Sequence, residues 1–473
     1  MSDTPLWQLS ATELSALTRS RDISAEEATR AAVDRMRALN PDLNAVVEDL
    51  GDAALARARA LDTDGGDRGP LFGVPVTIKV NVDQKGHATT NGLPALKDWI
   101  APDDAPLVKN LLAAGAVVIG RTNTPEFSFR ADTDNPLHGR THNPWGRHIS
   151  PGGSSGGAGS AVMAGMGPLA HGNDIGGSLR FPASATGAVT VKPGLGRVPA
   201  WNPSQATERG MLAQAMSVQG LLVRNARDLH LAMPVMIRPD PGDPFHVPLP
   251  WKGAPTDGPI KVGFTKSTLD FPLHPEVDAA LDDAREALVD AGYSVVEVAP
   301  PYLAELAEVS FRALMTESLA LIWEDVKRLG SATVIAVFEE YFRQFPPYEH
   351  DEYLRIVARR TLYARAWSQL LADCPLVLTP FLPDPFFGPD ADAGGEDGVR
   401  AVLGAAFWST SMNFLGQPAG NVPARLAALD TGPQPIGVQI VGRRWREDLV
   451  VDAMAAIEER VGPMAPRLWA RTG

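Results

Sequence analysis

In the segment DDAPLVKNLLAAGAVVIG, residues 103–120, a helical spacing of apolar residues gives way, across one glycine, to a β-branched run. Helix, tight turn and strand in so short a span is the unit of a layered α/β fold. The unit recurs. LFGVPVTIKV (71–80) reads as a buried strand. IKVGF (260–264), PEVDAALDDAREALVDAG (275–292) and YSVVEV (293–298) read as strand, helix and strand. PLVLTP (375–380) and PIGVQIVG (435–442) return to the sheet, and a helix follows near 446–461. The pattern predicts one large α/β domain, with a central mixed, mostly parallel sheet covered by helices on both faces.

Within that domain the chain divides by texture. Residues 1–64 are expected to be helices packed on the core. Two capping boxes open the first pair, Ser10 with Glu13 and Ser24 with Glu27, and a third helix covers 51–61. Residues 65–230 form the core itself, and SPGGSSGGAGSAVMAGMG (150–167) within it holds seven glycines. That stretch reads as a loop running into a helix of small residues, which other elements can approach closely. Residues 231–300 begin with a proline-rich surface connection (234–259) and continue the α/β core. Residues 301–371 are helical and carry five of the six tyrosines plus Trp323 and Trp367. These rings either hold a helical layer together or form one wall of a cleft that the layer caps. Residues 372–473 complete the sheet.

Several function classes are excluded early. The 43 basic and 56 acidic side chains give a net charge of −13, which disfavours binding to a nucleic-acid backbone. The single cysteine, Cys374, lies in an apolar run and cannot build a disulfide or a cysteine zinc site. The nine histidines are scattered without metal-ligand spacing, so neither metal nor other cofactor is expected. The glycines at 152–159 lack the Gly-Lys-Ser/Thr ending of a phosphate cradle, and no dinucleotide fingerprint follows a strand. The first residues show no signal-peptide pattern, and the most apolar segment, 111–120, is too short to span a bilayer. A cytoplasmic protein with no membrane role is expected.

Serine chemistry fits better. Gly152 to Gly156 formally match G-x-S-x-G, but the strand that motif requires is missing before them. None of the nine lysines has a serine three positions earlier, which removes the S-x-x-K pattern. His171 precedes Ser178 by seven residues and offers a lesser triad option. Lys79 interrupts VPVTIKV, a run that should lie between layers. A buried ammonium is costly, so such a lysine is ion-paired or neutral, and desolvation lowers its pKa toward the range of a general base. A strand-end lysine reaching water is the alternative.

FGVPVTIKVN, SPGGSSGGAGS and HGNDIGGSLRFPA, in this order and with 24 residues from Ser154 to Ser178, strongly resemble the amidase signature family. GRTNTPEF (120–127), HNPWG (142–146), KPGLGRVP (192–199) and PIGVQIVG support the match. The resemblance implies Ser178 as nucleophile, Ser154 as a bridging serine on a cis peptide, and Lys79 as final base. It implies an oxyanion hole from the amides of Ile175, Gly176, Gly177 and Ser178, with Ser128 and Phe129 beside the acyl pocket. Ser155, Asp174 and Arg180 would be structural support, the last two as a pair holding the turn. Many family members place an acidic residue where this chain has Val80. The implied activity is hydrolysis of the C–N bond of amides, with carbamates and esters open to the same machinery. The expected partner is a small amide with an apolar or aromatic part, and a homodimer is a further possibility of the family. The alternative is an amidotransferase component that serves aminoacyl-tRNA within a complex, although such components usually carry glutamine where Phe181 stands.

Overall fold

The computed structural model describes residues 4–472 apart from 65, 67 and 257. Among the described residues eleven strands form one sheet. They are β1 (Val46–Asp49), β2 (Pro75–Lys79), β3 (Val117–Thr122), β4 (Leu169–Asp174), β5 (Val189–Lys192), β6 (Val218–Val223), β7 (Lys261–Phe264), β8 (Ser294–Glu297), β9 (Leu376–Pro380), β10 (Ala419–Leu429) and β11 (Gly432–Gly442). Their order is β1-β3-β2-β4-β6-β5-β10-β11-β9-β7-β8.

The sheet is mixed, as expected, but not mostly parallel. β2 pairs in parallel with β3 and β4, and β7 with β8 and β9. The six remaining pairings are antiparallel. The reason lies in the connections. Parallel neighbours need a crossover of a dozen or more residues, and the helices at 106–113 and 275–290 supply these at the two ends of the sheet. In the middle, β10 and β11 are joined by a two-residue turn and can only fold back on each other.

Helices cover both faces. One apolar layer joins Val76 and Ile78 of β2 to the helices Pro106–Ala113, Asp228–Met236, Pro275–Asp290 and Glu447–Val461. The other packs the helices Gly156–Ala164, Leu303–Leu321, Ala332–Gln344, His350–Asp373 and Phe407–Leu415 against the opposite face. Both N-terminal capping boxes form, and the third helix runs Gly51–Thr63. The proline-rich passage is largely exposed, pinned by the buried Trp251 and by Arg197, whose guanidinium donates to the carbonyls of Leu249 and Pro250. Among the described residues no helix is long and apolar enough to cross a membrane.

Candidate active site

β2 and β4 are parallel neighbours, with Val76 opposite Leu169 and Thr77 opposite Ala170. Lys79, at the end of β2, and the turn after Asp174, at the end of β4, therefore emerge side by side at the carboxyl ends of two strands. That edge is where open α/β sheets place ligands. Side chains alternate along β2, so Val76 and Ile78 enter one apolar layer while Thr77 and Lys79 face the other. Lys79 is fully buried.

The loop carrying Ser154 meets the amine from above. The Gly153–Ser154 peptide is cis. A side chain at Gly153 would put its Cβ 2.3 Å from the Arg130 carbonyl oxygen, so only glycine permits this approach. Thr133 Oγ1 donates to the Gly152 carbonyl and accepts from Gly156 N–H, clamping the loop on both sides of Ser154. Lys79 Nζ lies 2.8 Å from Ser154 Oγ, 3.0 Å from Ser155 Oγ and 2.8 Å from Asn173 Oδ1. Burial pushes the amine well below the ordinary lysine range, and the charge of Asp174, which acts in the opposite sense, is outweighed.

Ser154 and Ser178 line one cavity of about 560 Å³. Their loops are stitched together by Ser155 N–H, which donates to the Ser178 carbonyl at 3.3 Å. Among the hydrogen bonds of the described residues, none joins Ser154 Oγ to Ser178 Oγ. The structure thus brings Lys79 and Ser154 into contact and puts Ser178 in the same cavity as Ser154.

The turn between β4 and the helix Arg180–Thr186 is built around Asp174. Its Oδ1 accepts from Gly177 N–H at 2.8 Å and its Oδ2 from Leu179 N–H at 3.1 Å. Arg180 donates to both carboxylate oxygens, at 3.0 and 3.1 Å, and both residues are buried. Burial alone pushes the Asp174 carboxyl up; Arg180, with Lys192 and Asn413, more than offsets this and holds it at about 2. Because Gly177 N–H is committed to Asp174, the four amides expected to face the cavity are not equivalent. Those of Ile175, Gly176 and Ser178 have no acceptor among the described residues.

His171 takes no part in such chemistry. Its Nδ1 faces the Lys79 backbone N–H at 3.5 Å, its Nε2 sits 2.9 Å from Gln219 Oε1, and burial pushes the ring down to about 3. It is a neutral, fully committed core histidine. Among the described residues no group of His, Cys, Asp or Glu is arranged to hold a metal ion.

Ser128 and Phe129 line the same cavity. Phe127 and Ser128 both take left-handed φ, 55° and 54°, costing roughly 1–3 kcal/mol each for non-glycine residues. The Ser128 hydroxyl anchors that turn, 2.8 Å from Thr124 Oγ1, donating to Asn91 Oδ1 at 2.6 Å and accepting from Asn81 Nδ2 at 2.8 Å. The rings of 301–371 resolve differently from the cleft-wall option. None of its five tyrosines, nor Trp323 or Trp367, is among the residues lining the cavity; that segment contributes aliphatic and acidic side chains such as Leu314, Leu321 and Glu317. Tyr341 instead supports the wall from behind, 5.3 Å from Phe129, whose ring stacks on Phe338.

Sequence reasoning missed Asn173, Asn81, Ser409 and Asn413. Ser409 Oγ donates to the Gly176 carbonyl at 3.0 Å, and Asn413 Nδ2 to Asp174 Oδ1 at 2.9 Å. Asn173 had one signal, an amide inside the same short motif as Ser178. The two residues of the helix Phe407–Leu415 had none, since more than 200 residues separate them from the turn they brace.

The family model described as Amidase matches residues 27–451. An indoleacetamide hydrolase of Bradyrhizobium diazoefficiens is 47% identical over 469 residues, covering 98% of this chain and 89% of the relative. A glutamyl-tRNA(Gln) amidotransferase chain from Moorella thermoacetica is 31% identical, covering 96% of this chain and 97% of that relative. Among solved structures, a bacterial aryl acylamidase of the amidase signature enzymes superposes with a TM-score of 0.83 at 28% identity, covering 99% of both chains. Fold and relatives together define an enzyme that hydrolyses amide C–N bonds. The chain belongs to the amidase family.

Proposed function

We propose that this amidase works through an acyl-enzyme on Ser178, with Ser154 and Lys79 as a proton relay, and that its substrates are arylacetamides of the indole-3-acetamide type. The observation that carries the mechanism is a fully buried amine, 2.8 Å from a serine hydroxyl, with no carboxylate hydrogen-bonded to it among the described residues. A neutral amine has two N–H groups and one lone pair. Asn173 Oδ1 can only accept, so it takes one N–H. Ser155 Oγ takes the other, its own hydrogen facing the Asn173 carbonyl at 3.4 Å. The lone pair is left for the Ser154 hydroxyl.

In the first step Lys79 accepts the Ser154 proton, Ser154 accepts that of Ser178, and Ser178 Oγ bonds to the substrate carbonyl carbon. The negative charge on the carbonyl oxygen is met by the free amides of Ile175, Gly176 and Ser178. The proton returns through Ser154 to the leaving nitrogen as the C–N bond breaks. Water then gives a proton to the same relay and attacks the acyl ester. The bond to Ser178 Oγ breaks, and the proton returns to Ser178 as the carboxylic acid leaves. Ser154 and Ser178 need close only when substrate is bound, as hydrogen bonds of this kind often tighten in the Michaelis complex. The aromatic acyl part fits a cavity walled by Phe127, Phe129, Ile175, Leu314 and Leu321.

The relative at 47% identity bears the name indoleacetamide hydrolase, which supports this substrate class over the amidotransferase role of the relative at 31%. The test is a hydrolysis screen of indole-3-acetamide, phenylacetamide, aliphatic amides, carbamates and esters with intact protein and the Ser178→Ala form. Arylacetamides are expected to lead, and Ser178→Ala to be inactive. Turnover by Ser178→Ala, or a preference for short aliphatic amides, would overturn it.

A further inference from the structure

Asn173, like Ser154, both contacts the Lys79 amine and lines the cavity, yet it exchanges no proton in the relay. Its Oδ1 lies 2.8 Å from Lys79 Nζ. An amide can present either oxygen or NH₂ at such a position, and only the surrounding bonds decide which. Here they decide. Asn173 Nδ2 donates to Asn81 Oδ1 at 2.9 Å, while Asn81 Nδ2 reaches back to Asn173 Oδ1 at 3.3 Å. Asn81 is held in this sense by its other partner, because the same Nδ2 donates to Ser128 Oγ, whose own hydrogen goes to Asn91 Oδ1. Flipping either amide would oppose donor to donor or acceptor to acceptor. The orientation is thus handed from the cavity-wall turn at Ser128, through Asn81, to the group that grips the amine.

We propose that Asn173 is a positioning residue for the base: its oxygen, locked by Asn81, fixes the Lys79 amine with the lone pair toward Ser154, without adding a charge that would hold a proton there. This rests on the assignment of Lys79 as base. The neutrality matters because few other charges face the amine. Asp174 is turned to Arg180 and to two backbone amides, and His171 is neutral beside the Lys79 backbone. Position 80, next to the lysine, is a buried valine. A carboxylate in place of the Asn173 amide would pair with the protonated amine and keep it protonated.

The experiment measures the acylation rate against pH for wild type, Lys79→Ala, Asn173→Asp and Asn173→Ala, with thermal unfolding of each. Asn173→Asp changes one atom of the side chain. It is expected to move the acid limb of the rate upward by one pH unit or more, with activity recovered in alkaline buffer. Asn173→Ala, which adds no charge, is expected to lose tenfold or more at every pH without that upward move. An acid limb in the wild-type position for Asn173→Asp, or a wild-type rate for Asn173→Ala, overturns the inference. If Asn173→Asp does not fold, Asn81→Ala, whose side chain makes no hydrogen bond to Lys79 among the described residues, replaces it: a lowered rate with an unmoved limb supports the proposal, and a wild-type rate overturns it. The two levels separate cleanly. Near-normal acylation by Lys79→Ala removes the base itself, whereas an inactive Lys79→Ala with an unmoved Asn173→Asp limb removes only the role of Asn173.

Discussion

Arg180 grips both carboxylate oxygens of Asp174, Nη2 on Oδ1 at 3.0 Å and Nε on Oδ2 at 3.1 Å, with both side chains buried. The same two oxygens take the backbone N–H groups of Gly177 and Leu179. The pair is therefore the frame of the turn that carries Ser178.

Breaking one side of this pair leaves an uncompensated buried charge. Arg180→Met is expected to cost about 3–5 kcal/mol of stability and to lower kcat at least a hundredfold. Chemical denaturation and steady-state kinetics on the same preparation check both. Stability within ~1 kcal/mol of wild type would mean that Asp174 finds other partners.

The pair also sets an acid limit. The Asp174 carboxyl titrates at about 2 when folded against 3.8 ordinarily, so the unfolded chain takes up the proton first as pH falls. The resulting stability, about 2 kcal/mol, is fully present above pH 4 and lost on the way to pH 2. Denaturation series across pH 2–5 should show this slope in wild type and lose it in Asp174→Asn. An identical slope in both proteins would assign the acid limit to other carboxylates.

The two glycines before Ser178 are not alike. Gly177 has φ 130°, and a Cβ there would meet Ser409 Oγ at 2.4 Å and the Phe181 ring at 2.5 Å. At Gly176 a Cβ would find only Thr410 Cγ2 at 3.6 Å. Gly177→Ala is expected to cost ~10²–10³ in kcat by displacing the oxyanion donors, while Gly176→Ala stays within tenfold. Equal losses would show that both positions need glycine for the same reason.

Phe129 stacks on Phe338 and lines the cavity. Phe129→Ala is expected to reduce kcat/KM for an arylacetamide by ~10–200-fold relative to acetamide, the usual range for lost apolar contacts in a pocket. The ratio of the two substrates is the measurement. An unchanged ratio would place the acyl group elsewhere.

How much of this was legible in the sequence depends on the range of the interactions involved. Lys79 could be read because a charge inside VPVTIKV is a local contradiction, and contradictions of that kind mark chemistry. The capping boxes were legible because each closes within four residues. The antiparallel middle of the sheet was not, since β5 meets β10 across more than 200 residues and no local pattern announces that pairing. The tyrosines of 301–371 were legible as rings but not as core or cavity wall, because that choice depends on how the helices pack. Asn173 lies in the same short motif as Ser178, but its contact with Lys79 follows from β2 and β4 being neighbours, which no local pattern announces.

The most direct measurement is the pre-steady-state acylation rate of wild type and Lys79→Ala from pH 4 to 10 with an arylacetamide whose acylation step is rate-limiting. Burial holds the Lys79 amine well below the ordinary lysine range, and only the neutral amine can take the proton. The wild-type rate should therefore rise with pH along one limb and level off well short of pH 10, and that limb should vanish with most of the rate in Lys79→Ala. A limb that survives in Lys79→Ala, or a wild-type rate flat across the acid range, would contradict the account.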